Sequence, residues 1–168
     1  MRFPTICCAL AVLAFPAAAQ EAGTAKVSFV DKAGEKNGSA TLKAVPKGVL
    51  VQMEVTGLPA DTWVAVHFHE TGTCDHTTGH ESAGGHFNPS GGPHGYLAEG
   101  GPHAGDMPNQ YVGADGTLRA EILNTEVTLD AADTSVHGKA LMVHGGKDDY
   151  ASQPSGDAGD RQACGVIE

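Results

Sequence analysis

Apolar and polar residues alternate with period two over eight short stretches of the chain: residues 26–30, 39–45, 49–55, 63–69, 118–123, 125–129, 139–144 and 164–167. A strand sends successive side chains to opposite faces, so the alternation predicts strands that bury one face. Turn-forming residues fall between them at Asn37-Gly38, Pro46-Lys47-Gly48, Gly57-Leu58-Pro59 and Asp115-Gly116. Helical periodicity nowhere lasts beyond about two turns. Eight short strands at this spacing predict an all-β fold, an antiparallel eight-stranded Greek-key β-sandwich or flattened barrel.

Residues 71–109 break the rhythm. They are crowded with Gly, Pro, Ser and Thr and contain five of the nine histidines, together with Cys74 and Asp106. A loop of this length inside a compact domain is either functional or disordered. A disordered linker has no use for so many ligand-type side chains, so a metal-organised loop is expected.

The first 19 residues read as a signal peptide that is removed. Arg2 precedes an apolar run over 6–15, and Ala17-Ala18-Ala19 offers a small-residue cleavage site. That run is too short to cross a bilayer core of ~30 Å. Residues 20–168 are then expected to form a single domain. Cleavage removes one base and no acid, so nine bases face 20 acids and the net charge falls from −10 to −11. Such a surface argues against nucleic acid and anionic membranes as partners. Cys7 and Cys8 leave with the signal, and Cys74 and Cys164 remain. In an exported protein this pair points to one structural disulfide. Closing a loop of about 91 residues removes on the order of 4–5 kcal/mol of unfolded-state entropy in the chain-entropy description.

Within 63–69, Val64, Val66 and Phe68 share one face, and His67 and His69 share the other. His144 ends a further strand on its outer face. Three neutral imidazoles suit copper, zinc or nickel. His86, His94, His103 and Asp106 stand at spacings of 8, 9 and 3, which match neither strand nor helix and place them on loops. Three imidazoles and a carboxylate make a closed tetrahedral zinc site, the carboxylate offsetting part of the dication's charge.

Taken in order, Val66-His67-Phe68-His69-Glu70, Gly84-Gly85-His86-Phe87-Asn88-Pro89, His103-Ala104-Gly105-Asp106-Met107-Pro108, the run from Gly138 to His144, and Arg161-Gln162-Ala163-Cys164-Gly165-Val166-Ile167 resemble the signatures of copper–zinc superoxide dismutases. The signal peptide and the short Glu70 to Cys74 run are similar to the exported bacterial branch, which implies a periplasmic location. The resemblance spans about residues 25–168. It implies that superoxide is dismutated to oxygen and hydrogen peroxide by alternate reduction and reoxidation of copper. It assigns His67, His69, His86 and His144 to copper, and His86, His94, His103 and Asp106 to zinc, with His86 bridging both as an imidazolate. It places Arg161 beside the copper to hold the substrate anion and pairs Cys74 with Cys164. It also makes Asp148, four residues after His144, the carboxylate that orients His67 and His94. Long metal-binding and electrostatic loops are implied, and the chain is expected to act as a monomer or homodimer, with no membrane contact after signal cleavage.

Several features stand outside that pattern. Tyr96-Leu97 follow His94-Gly95 where the family more often has Gly-Pro. His76 and His80 are expected on a solvated loop, and His137 on the surface. Trp63, Met53 and Met142 read as packing residues. Asp149, Asp157 and Asp160 lie on the arginine's loop, where they oppose an anionic substrate, and Lys147 lies there too. No phosphate-binding loop, dinucleotide fingerprint, Ser-His-Asp pattern or helical zinc motif is present. The competing reading is a non-catalytic copper-binding or storage protein on the same scaffold. It requires the loss of a copper ligand or of the arginine, and neither is missing.

Overall fold

The computed structural model describes residues 23–130 and 133–168; the expected signal peptide lies outside the described residues. β1 (Thr24–Asp31), β2 (Lys36–Val45) and β3 (Gly48–Val55) form an antiparallel meander. Their alternate residues Val27, Phe29, Leu42, Val49, Val51 and Val55 turn into one core, as period-two patterning requires. β4 (Thr62–Val64), β5 (Val66–His69), β6 (Gln110–Val112), β7 (Leu118–Asn124), β8 (Ala140–His144) and β9 (Arg161–Val166) complete the set. The strands bond in the order β4-β6-β7-β3-β2-β1-β9-β8-β5. β4 and β5 stand at opposite ends of that order, yet only Ala65 separates them in the chain. The sheet therefore curls round into a nearly closed Greek-key barrel, which leaves little free edge.

The all-β reading holds, with local differences. The strand expected over 63–69 divides at Ala65. Ala65 N–H donates to the Gly146 carbonyl at 2.8 Å, and its own carbonyl accepts from His144 N–H at 2.9 Å. The stretch 125–129 is not a strand, because Asn124 Oδ1 accepts from Glu126 N–H at 2.8 Å and turns the chain. β6 appears where no alternation signals it. Its three residues find their partners in β4, with Trp63 opposite Tyr111.

Asn37-Gly38 is no turn but lies inside β2. Gly38 pairs with both Phe29 and Val55, and a Cβ there would come within 2.5 Å of the Glu54 carbonyl. The turn lies just before, where Asp31 Oδ1 accepts from Ala33 and Glu35 N–H.

Candidate metal centre

Strand register places the first three imidazoles. Val66 and Phe68 of β5 enter the core, so His67 and His69 face outward. β5 pairs with β8, which ends on His144, and His144 in turn pairs with Arg161 at the start of β9. The loop following β5 then folds back along it. Glu70 N–H bonds the Gly85 carbonyl, Phe87 N–H the Phe68 carbonyl and Phe68 N–H the Gly105 carbonyl, all at 2.8–2.9 Å. Every residue of β5 and β8 is buried as a result.

The expected ligands converge. The binding atoms of His67, His69, His86 and His144 lie within 4.8 Å of one another, as do those of His86, His94, His103 and Asp106. His86 belongs to both groups. The ring nitrogens pointing away are held by protein: His67 Nε2–H donates to Asp148 Oδ2 at 2.8 Å, and His69 Nδ1–H to the Gly84 carbonyl at 2.9 Å. His94 Nε2–H donates to Asp148 Oδ1 at 3.0 Å, and His144 Nδ1 lies 3.3 Å from the Gly159 carbonyl. Asp148 thus accepts from one ring of each group. A Cβ at Gly156 would strike both its carboxylate and the His94 ring.

What remains is His67 Nδ1 and His86 Nε2, buried with no hydrogen-bond partner, and His94 Nδ1 and His103 Nδ1, which face the Asp106 carboxylate at 2.9 and 3.6 Å. Each unsatisfied buried polar atom costs about 1–3 kcal/mol. Two such nitrogens within one imidazole cluster, beside a buried carboxylate ringed by three imidazoles, make a poor resting polar core, and cations satisfy both groups. The donor types fit the family's metals, imidazoles alone for copper and three imidazoles with a carboxylate for zinc.

Electrostatics hold these groups in their ligating forms. Burial, reinforced by neighbouring imidazoles, pushes His67 well down and His69 to about 2. Burial also takes His144 down to about 4, although the Gly159 carbonyl opposes it. Burial on its own would raise the Asp106 carboxyl. The hydrogen bonds from His86 and Gly95 N–H, with the charge of His86 and His94, outweigh it and hold the group well below the carboxylate range. Asp106 Oδ2 also accepts from His103 N–H at 2.9 Å.

Arg161 lines a cavity of about 820 Å³ together with His69, His86 and His144. Its Nη1–H donates to the His80 carbonyl and its Nη2–H to the Gly84 carbonyl, both at 2.8 Å. The Cys74–Cys164 disulfide, with Cα atoms 5.5 Å apart, ties the loop bearing those carbonyls to the arginine's own strand.

The family model of copper/zinc superoxide dismutases (SODC) matches residues 36–167. The chain belongs to that family. It is 45% identical over 154 residues to Superoxide dismutase [Cu-Zn] 1 of Aquifex aeolicus, covering 89% of this chain and 90% of that protein. It is 40% identical to Superoxide dismutase [Cu-Zn] of Caulobacter vibrioides over 80% of each. The crystal structure of a SOD-like protein from Bacillus subtilis superposes with a TM-score of 0.81 at 32% identity, covering 85% of this chain and 97% of that one.

Some residues stand differently from what the sequence suggests. His80 is fully buried rather than solvated, in the left-handed region at φ 65°. His76 and His137 are exposed, and the His76 ring rests on Gly34. Asp157 and Asp160 line the cavity; Lys147 and Asp149 are not among the residues lining it. The Tyr96-Leu97 departure has a role: Tyr96 Oη–H donates to the Asp106 carbonyl at 3.0 Å, and its ring packs edge-on against Tyr150. Glu81, 3.3 Å from Arg161 Nη2, carries no signal in the sequence.

Proposed function

We propose that this chain dismutates superoxide, two superoxide ions and two protons giving oxygen and hydrogen peroxide. The convergence of two ligand groups through one shared histidine beside an anchored arginine carries the reading. His67, His69, His86 and His144 hold copper, and His86, His94, His103 and Asp106 hold zinc. Bound copper supplies the one-electron chemistry in both directions, and zinc supplies fixed charge without redox change. Arg161 takes the substrate anion in the cavity with its guanidinium already oriented by two backbone carbonyls, so little ordering is required on binding. His86 would serve both groups, its Nδ1 lying toward Asp106 at 2.8 Å; its Nε2, when not ligating, would hold the proton passed to the reduced substrate. Asp148 fixes the rings of His67 and His94 by accepting their outer N–H groups.

Residues 1–19 direct export to the periplasm and are removed, and residues 20–168 act as one domain. All the ligands come from one chain, so a monomer or a homodimer serves equally. Among the described residues, no helix is long and apolar enough to cross a membrane.

Superoxide decay with the purified chain, loaded with copper and zinc and compared with a stripped control, tests the reading. Fast decay that disappears on stripping is the expected result. Bound copper with decay at the free-metal background would replace it with copper storage. In the loaded protein, Arg161→Ala is expected to lower kcat/KM about 10- to 100-fold, the worth of a charged hydrogen-bonding contact. Retention of most activity would remove Arg161 from its role.

A further inference from the structure

The charged lining of the cavity is unusual for an anionic substrate. Setting the histidines aside, four carboxylates line it, Glu70, Glu81, Asp157 and Asp160, against the single cation Arg161. Two of the four are engaged away from the guanidinium. Asp160 is paired with Lys32 at 2.9 Å, and Glu70 Oε1 accepts from Gly85 N–H at 3.1 Å. Glu81 alone reaches the arginine, its Oε2 lying 3.3 Å from Nη2.

The pair is built unequally. Arg161 is 14% exposed and pinned by two carbonyls, whereas the Glu81 side chain is 71% exposed. Its backbone is nevertheless fixed. Glu81 opens the short 3-10 turn Glu81–Ala83, directly after the buried His80 whose carbonyl holds the same guanidinium. Glu81 is therefore an anion tethered beside the substrate position. At 3.3 Å the contact is longer than a strong charge-assisted hydrogen bond, and water screens it.

We propose that Glu81 sets the anion selectivity of this cavity, its carboxylate competing for the Nη2 side of the Arg161 guanidinium until a small monoanion displaces it. A partly exposed ion pair contributes about two- to fivefold in an equilibrium. A competitor of that strength yields to an anion that the metal charge also attracts. It penalises an anion held by the arginine alone, and a dianion also meets the remaining carboxylates of the rim. The identity of the favoured monoanion rests on the dismutase reading; the competition itself does not.

Inorganic phosphate is the probe, and broadening of its ³¹P resonance by the copper- and zinc-loaded protein gives its affinity without reference to turnover. Glu81→Gln is expected to bind phosphate two- to fivefold more tightly than the unaltered chain. Arg161→Gln is expected to lose that binding. Asp160→Asn removes one charge from the same rim but leaves Glu81 on the guanidinium, and is expected to change the affinity less than Glu81→Gln. Equal affinity for the unaltered chain and Glu81→Gln, or binding by neither, would overturn the proposal. So would an equal gain in Asp160→Asn, which would assign the effect to overall rim charge. Superoxide decay by the same loaded samples reports separately on the dismutase reading.

Discussion

The two ligand groups are built by different means. His67, His69 and His144 stand on β5 and β8, where backbone ladders place them whatever their side chains bind. His86, His94, His103 and Asp106 stand in the connection between β5 and β6 and depend on polar pins: Gly95 and His103 N–H on Asp106, Tyr96 on the Asp106 carbonyl, and the Gln153 side chain on His94 N–H at 2.9 Å. A ladder is shared by many residues and survives the loss of one contact. A loop held by single contacts has less reserve, since each hydrogen bond contributes only about 0.5–1.5 kcal/mol, although His86 and Asp106 are also bridged to β5 through the backbone. The strand-borne side is organised by its ladders, whereas the loop-borne side relies on a few backbone bridges to β5, these polar pins and the disulfide.

The largest expected effect on this contrast comes from the disulfide. Cys74→Ser with Cys164→Ser should cost about 2–5 kcal/mol of stability, read by denaturant unfolding. Hydrogen exchange should rise first over 70–109, with β5 and β8 still protected. Exchange rising equally in both regions would break the distinction.

Asp148 joins the two sides, so Asp148→Ala should weaken metal binding by about 10- to 100-fold at each. Competition against a chelator, run separately for zinc and copper, measures it. A loss confined to zinc would sharpen the contrast further, because it would mean that β5 alone keeps His67 in place.

Acid should separate the sides in the metal-free protein. Above about pH 6.5 the imidazoles of His69 and His144 are neutral in folded and unfolded chains alike, and their contribution to stability is at its full value. Below it the unfolded chain takes up a proton that folded His144 refuses until about pH 4 and His69 until about pH 2, so stability falls through that interval. Asp106 behaves differently. Its folded value is depressed below 3.8, so its contribution is intact above that value and is lost only as the pH falls further. Urea unfolding at pH 7.5, 5.5 and 4.5 should show falling midpoints, and a flat profile would contradict the assignment.

The smallest effect belongs to Tyr96→Phe. It removes the hydrogen bond to the Asp106 carbonyl while keeping the ring against Tyr150, and should cost about 0.5–1.5 kcal/mol. Zinc affinity is expected to fall by less than about tenfold with copper affinity unchanged. An equal change in both would show that this pin serves the whole centre.

The strand alternation, the ligand types with their order, and the single cysteine pair outside the expected signal peptide could be read directly from the chain. Each is a local property, since period-two burial and donor chemistry need only neighbouring residues to be legible. The resemblance of the motifs then named the histidines and the aspartate that make up the two clusters. Other features required the third dimension. β6 is three residues long and exists through its partners in β4. Gly38 looks like half of a turn until Glu54 is placed beside it. His80 looks solvated until its segment is drawn under Arg161, and Glu81 becomes notable only at 3.3 Å from a guanidinium 80 residues away. Long-range pairing and burial depend on which distant segments meet, and that is decided by packing rather than by local composition.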